Sequence, residues 1–152
     1  MAANTHVHDV ASVFNLTEFK QFQRDALDHL MKGTDIFLNV KTGAGKSICY
    51  QAFYPTWMKR NPDSRCTILV ICPLISIMKE QSDYLSDLGF SATYIGKDAK
   101  ESDGIKRGEY SFVFSSPEAV VGNPEWRAML LGPTGEIVRL LVIDEAHTVL
   151  HW

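Results

Sequence analysis

A chain of 152 residues that is 45% hydrophobic and 22% charged is long enough to bury one core, and its composition is not that of a fibrous or disordered protein. Its formal net charge of -3 excludes a global basic field, so any contact with nucleic acid has to be local. Three cysteines, Cys49, Cys66 and Cys72, form no Cys-x-x-Cys pair, and two of them sit inside apolar runs, the pattern of buried reduced thiols in a reducing compartment.

Residues 1–13 are predicted to form a loose tail. The stretch is polar, lacks the basic and apolar segments of a secretory signal, and carries His6 and His8 with no further ligand in view, so no zinc is assigned to it. No apolar run approaches the length that spans a bilayer, and the expectation is a soluble, intracellular protein.

From there the chain alternates. Leu16, Phe19, Phe22, Ala26, Leu27 and Leu30 recur at near-helical spacing and predict one or two helices ending at Gly33. Residues 35–40 predict a short strand, followed by a loop with Gly43 and Gly45 and a helix from Lys46 towards Lys59. Next come a strand over 67–72, a helix over 74–88, a strand near 92–95 and a helical or irregular stretch to Gly108 whose charges form a solvated face. A strand over 111–114, helical stretches to 131 and a last strand over 140–143 complete the series, with Leu140-Leu141-Val142-Ile143 expected to be buried. Trp57 and Trp126 are read as packing or partly exposed aromatics. Strands of continuous apolar character between helices predict an α/β fold with a parallel sheet covered on both faces. Right-handed crossovers then put every strand's carboxyl end on one edge, where ligands bind.

Two motifs sit at such ends. Lys41-Thr42-Gly43-Ala44-Gly45-Lys46-Ser47 closes with the Gly-Lys-Ser of a phosphate-binding loop opening a helix. Glycines let backbone N–H groups turn onto phosphates, Lys46 reaches the β and γ oxygens, and the Ser47 hydroxyl holds Mg²⁺. Val40 stands where the strict motif has its first glycine, so a glycine-rich turn without phosphate is the other reading. At the end of the last strand stands Asp144-Glu145-Ala146-His147. Asp144 suits Mg²⁺ held through water, and Glu145 suits orienting and deprotonating the attacking water. An Asp-Glu pair also opens helices, favoured by the dipole, but together with the loop at Lys46 it points to a motor ATPase.

With these motifs in place, the sequence resembles the superfamily 2 helicases with an Asp-Glu-Ala-His box, and within them the RecQ family of ATP-dependent DNA helicases, over nearly the whole chain. The resemblance implies a RecA-like P-loop NTPase fold, with residues 14–152 forming a partial ATP-binding domain, truncated at its carboxyl end and lacking motif III and the second lobe. Phe19, Lys20 and Gln23 are similar to the motif preceding the loop, in which the glutamine reads the adenine edge and the basic residue, usually Arg, packs by the base. On residues alone, Lys20 and Gln23 also read as the solvated face of an amphipathic helix. Lys46-Ser47-Ile48-Cys49-Tyr50-Gln51 is similar to the family's continuation of the loop, with Cys49 and Tyr50 as core.

Cys72-Pro73-Leu74-Ile75-Ser76-Ile77-Met78-Lys79-Glu80-Gln81 is similar to motif Ia, which lies along single-stranded DNA in the family. Pro73 and Ser76 are its candidate contacts, and Leu74, Ile77 and Met78 are expected in the core. Ser115-Ser116-Pro117-Glu118 resembles motif Ib, making Ser116 and Pro117 candidates too, although Ser-Pro-Glu is equally a helix cap. Trp152 keeps the tryptophan of the family's aromatic loop, with Leu150 and His151 where Ser and Gln are usual.

The resemblance implies catalysis by Lys46, Asp144, Glu145 and His147. It places the nucleotide on Lys20, Gln23, Thr42, Gly43, Ala44, Gly45, Lys46 and Ser47, and Mg²⁺ on Ser47 and Asp144. ATP and Mg²⁺ are the implied cofactors and single-stranded or forked DNA the partner, without membrane, in a 3′-to-5′ helicase of DNA repair or recombination, nuclear in a eukaryote. Two alternatives stay open: an RNA helicase of the DEAD or DEAH type, which lacks the strings at Cys49 and Pro73, and a truncated ATP-binding or interaction module that is not a motor.

Overall fold

A computed structural model of the chain describes residues 10–36, 45–96, 99–131 and 136–144. The expected strand over 35–40 falls largely outside them. The chain divides into two units, residues 1–64 and 65–152.

The first unit is helical among its described residues. Val10 to Val13 form a short helical turn with Val10 and Ala11 buried, so the tail expected over 1–13 does not extend to these four residues: two apolar side chains anchor them. Helix α1 (Gln21–Met31) packs on α2 (Ser47–Gln51) and α3 (Phe53–Arg60), burying Ala26 and Leu27, with Cys49, Tyr50 and Phe53 also buried. The single helix expected over 46–59 is thus two helices meeting at Ala52. Pro55 has no N–H to donate to the Gln51 carbonyl one turn back, which ends the first helix and is tolerated only in the opening turn of the second.

The second unit holds four strands, β1 (Thr67–Ile71), β2 (Ala92–Tyr94), β3 (Phe112–Ser115) and β4 (Val138–Ile143). They pair in the order β2-β3-β1-β4, every pair parallel. Between them run α4 (Ile75–Asp87), α5 (Ala99–Lys106), α6 (Pro117–Gly122) and α7 (Pro124–Leu131). Every residue of β1 and of β3 is buried, as a parallel sheet covered on both faces requires. Leu69, Ile71 and Val113 pack with Ile105 of α5 and Trp126 of α7. Helix α4 packs along β2 and β3 and buries Met78, Ser82 and Leu85, spaced as one helical face.

Two expectations need correction. Strand β4 is not buried throughout: Val138, Leu140 and Val142 are half-buried, whereas Leu141 and Ile143 are 58% and 48% exposed. Among the described residues β4 pairs only with β1, and its partly covered face is the one where Val138 meets the Trp126 cluster. Leu74 is not core either; it is 55% exposed, beside Ile75 at 68%. It precedes α4 in extended conformation and so lies off the helix's buried face.

Candidate nucleotide and nucleic-acid site

In the first unit the site is built around the end of the glycine loop. Gly45 has φ +87°, a left-handed conformation that side chains rarely adopt. Lys46 follows with helical geometry and Ser47 opens α2, so the Gly-Lys-Ser triplet makes the loop-to-helix transition that a phosphate loop needs. Thr42, Gly43 and Ala44 lie outside the described residues.

Gln23 reaches this point from α1. Its Nε2 donates to the Gly45 carbonyl at 2.9 Å, while its Oε1 accepts the Lys20 N–H at 2.8 Å. The side chain is 4% exposed, so the reading of Gln23 as solvated helix face does not hold. A Cβ at Gly45 would stand 2.7 Å from Gln23 Nε2, which gives Gly45 a second reason to be glycine. The sequence reading missed this bond. Only the bond from the Lys20 N–H had a signal: a glutamine three residues after the residue preceding the helix is half of a capping box, although Lys20 holds the place of the Ser or Thr that would form the other half.

In the second unit three candidate segments gather on one sheet edge. Ile71 pairs with Ser115 on one side and with Ile143 on the other, so these strands reach their carboxyl ends in one row. Beyond it, Cys72 N–H donates to the Ser115 carbonyl at 2.8 Å and Asp144 N–H to the Ile71 carbonyl at 2.9 Å. The motif Ia turn, the motif Ib turn and Asp144 therefore follow adjacent strands at the same level. Pro73 is half-buried, Ser76 is exposed, and Pro117 is buried at the start of α6. Ser116 is the cap residue of α6, its Oγ accepting the Ala119 N–H at 3.2 Å, so the capping reading of Ser-Pro-Glu holds. Glu145, His147 and Trp152 lie outside the described residues.

Among the described residues no group of three His, Cys, Asp or Glu side chains gathers as a metal cage. Mg²⁺ in a nucleotide site needs none: it takes one or two protein oxygens and completes its shell with phosphates and water. The Ser47 hydroxyl and the Asp144 carboxylate are donors of that kind.

A parallel α/β sheet with a glycine-lysine-serine loop and an acidic residue at a strand's carboxyl end defines the RecA-like class of nucleotide-binding folds. The family model for DEAD/DEAH box helicases matches residues 20–152, and the chain belongs to that family. Among its relatives are the ATP-dependent helicase SGS1 of Saccharomyces cerevisiae, 32% identical over 92% of this chain, and the ATP-dependent DNA helicase RecQ of Bacillus subtilis, 32% identical over 94%. The ATP-dependent DNA helicase Q1 of Rattus norvegicus is 30% identical over 95%. The chain spans only 10%, 24% and 24% of those three proteins' lengths. In fold it is similar to the helicase MrfA in a structure bound to DNA and AMPPNP, with a TM-score of 0.71 and 19% identity, covering 94% of this chain and 21% of that one. No helix among the described residues is long and apolar enough to cross a membrane.

Proposed function

We propose that this chain is the ATP- and DNA-binding first lobe of a RecQ-like DNA helicase translocating 3′ to 5′ on single-stranded or forked DNA, in the nucleus if the source is eukaryotic. The observation that supports the proposal is the row of strand ends at Ile71, Ser115 and Ile143, with the turns at Pro73 and Ser116 and the acidic Asp144 following those ends on one edge. In this reading the loop ending Gly45-Lys46-Ser47 takes the triphosphate, with Lys46 neutralising charge on the β and γ oxygens and Lys20 by the base. Ser47 and Asp144 hold Mg²⁺, which draws charge from the phosphates when bound. Glu145 orients and deprotonates water, His147 completes the acid box, and Thr42, Gly43 and Ala44 add backbone donors to the phosphates. Pro73, Ser76 and Ser116 are the contacts to nucleic acid in this reading, with Trp152 as a further one and the buried Pro117 shaping the turn at Ser116. ATP is consumed between two lobes in such motors, and unwinding follows from their opening and closing, so DNA unwinding belongs to a protein that also has the second lobe.

The test is Mg-ATP binding and turnover by this chain, with and without single-stranded DNA or RNA, beside a Lys46→Ala control. The expected result is ATP binding lost in the control and a response to DNA exceeding that to RNA. Equal ATP binding by the control overturns the loop assignment, and a stronger response to RNA overturns the choice of DNA.

A further inference from the structure

Leu74 and Ile75 leave β1 at the carboxyl edge of the sheet and enter α4, and both side chains stand in solvent. Ile75, at 68%, is the most exposed large apolar side chain among the described residues. Leu74 breaks a second local rule. It is the cap residue of a 13-residue helix, with extended backbone at φ -114° and ψ 124°, and it makes no side-chain cap bond. Leucine is among the least favoured residues at that place, because it has no oxygen to accept an N–H of the first turn, as Ser, Thr, Asn or Asp would. An apolar side chain left in water where a polar one would stabilise the helix is a local conflict with no gain in the fold, and such conflicts gather at functional positions.

The surroundings narrow the function. From Ile71 to Met78 the sequence carries no charge, so this turn brings neither Lys nor Arg to a phosphate. Its polar reach is the exposed Ser76 and main-chain N–H groups, and the rest of its outward surface is the hydrocarbon of Leu74 and Ile75. In a single strand the sugars and the base faces offer apolar surface, and the sugar is where DNA and RNA differ. Deoxyribose has a methylene at C2′, whereas ribose has a hydroxyl that donates and accepts hydrogen bonds. Hydrocarbon packs on the methylene but leaves the hydroxyl without a partner, which disfavours ribose.

We infer that Leu74 and Ile75 are specificity-determining residues for the sugar: they form an apolar ledge that takes the C2′ face of deoxyribose and disfavours ribose. The inference rests on the proposed reading of this edge as a nucleic-acid site and deepens it by naming the residues that select DNA over RNA.

Oligodeoxyuridine and oligouridine of equal length share every base atom and differ only in the 2′-hydroxyl, so the ratio of their affinities isolates the sugar. Binding is measured by fluorescence anisotropy on the 152-residue chain, with thermal melting followed in parallel. Leu74→Asn puts an amide of similar size on the ledge, able to pair a hydroxyl and to cap the helix. Ile75→Thr keeps the β-branch and adds a hydroxyl.

The unsubstituted chain is expected to favour oligodeoxyuridine by about tenfold, the size of one polar group left unpaired at a partly wet site. Each variant should lower that ratio by a factor of about three, chiefly by binding oligouridine more tightly, and the double variant should bring it close to one. Leu74→Asn should melt no lower than the unsubstituted chain, because it gains a cap. A purely structural role for the pair predicts the reverse, a lower melting temperature with equal losses for the two oligomers. Such equal losses, a ratio near one in the unsubstituted chain, or an unchanged ratio in the double variant overturns the inference while leaving the edge a nucleic-acid site. If the unsubstituted chain binds neither oligomer, the reading of the edge fails first and this inference falls with it.

Discussion

The main-chain N–H of Asp144 donates to the carbonyl of Ile71 at 2.9 Å, one residue beyond the last pair of β1 and β4. Asp144 is therefore levelled by the strand that leads into the Pro73 turn, so a disturbance of β1 reaches Asp144 and that turn together.

In the second unit Phe112 is fully buried in β3 and meets Phe90 edge to face with ring centroids 5.6 Å apart. Phe112→Ala removes a large side chain from a close-packed site and is expected to cost about 3–5 kcal/mol, cavity included. Urea denaturation checks this; a loss below about 1 kcal/mol would show that the site collapses or is not packed as described.

Ser116 has two roles that separate by substitution. Ser116→Ala removes the acceptor for the Ala119 N–H and should destabilise by about 1 kcal/mol. Ser116→Asp preserves the cap but sets a negative charge where the proposed DNA phosphate lies, so stability should hold while affinity for single-stranded DNA falls. Equal DNA affinity in wild type and Ser116→Asp would leave Ser116 a cap alone.

On β4, Leu141 and Ile143 present apolar side chains to solvent from a strand paired on one side among the described residues. Such a strand is a template for association. The chain should self-associate with rising concentration in light scattering, and the double variant Leu141→Lys, Ile143→Thr should reduce this while shifting stability by no more than about 0.5 kcal/mol, since exposed positions carry little packing. A wild type monomeric at high concentration would count against it.

Burial pushes the Cys49 thiol up to about 11 and the Cys66 thiol up to about 12 from a usual 9.0, with Arg139 drawing Cys66 back in part. Above pH 9 the unfolded chain sheds thiol protons that the folded chain keeps, so this contribution to stability is complete below pH 9 and is lost as pH rises towards 11 to 12. Urea midpoints should fall between pH 8 and about 10.5, less steeply in Cys66→Val, and native thiols should alkylate slowly at pH 8. Equal slopes would place Cys66 in water.

Much of this was legible in the sequence because strand character and burial coincide in β1 and β3, where unbroken apolar runs can only be strands covered on both faces. The alternation in β4 was not legible. Leu141 and Ile143 are as apolar as their neighbours, and only their exposure in the fold separates them from Leu140 and Val142. The strand expected from Leu140 begins at Val138, and within that added start the Arg139 Nε donates to the Arg65 carbonyl at 3.1 Å. At the site, the left-handed turn at Gly45 and the helix opened by Ser47 fall where the Gly-Lys-Ser string put a loop-to-helix change. The partner of Gln23 was hidden because it lies 22 residues away, and no local pattern specifies a contact at that distance.

Main-chain bonds join the strands at both edges of the sheet, and one edge carries side-chain fastenings besides. Ahead of the strands, side chains reach across to foreign carbonyls: Arg65 to those of Arg107 and Gly108, Thr67 to that of Tyr110, Ser91 to that of Glu109. Beyond the strands, Cys72, Ile95 and Asp144 are joined to their neighbours through main-chain N–H groups. A main-chain fastening survives a change of side chain, so the carboxyl edge can vary its residues, and with them what it grips, without coming undone; a comparable exchange at Arg65 or Thr67 removes a fastening, leaving the main-chain bonds of Ile68, Ser111 and Phe112 to hold that edge.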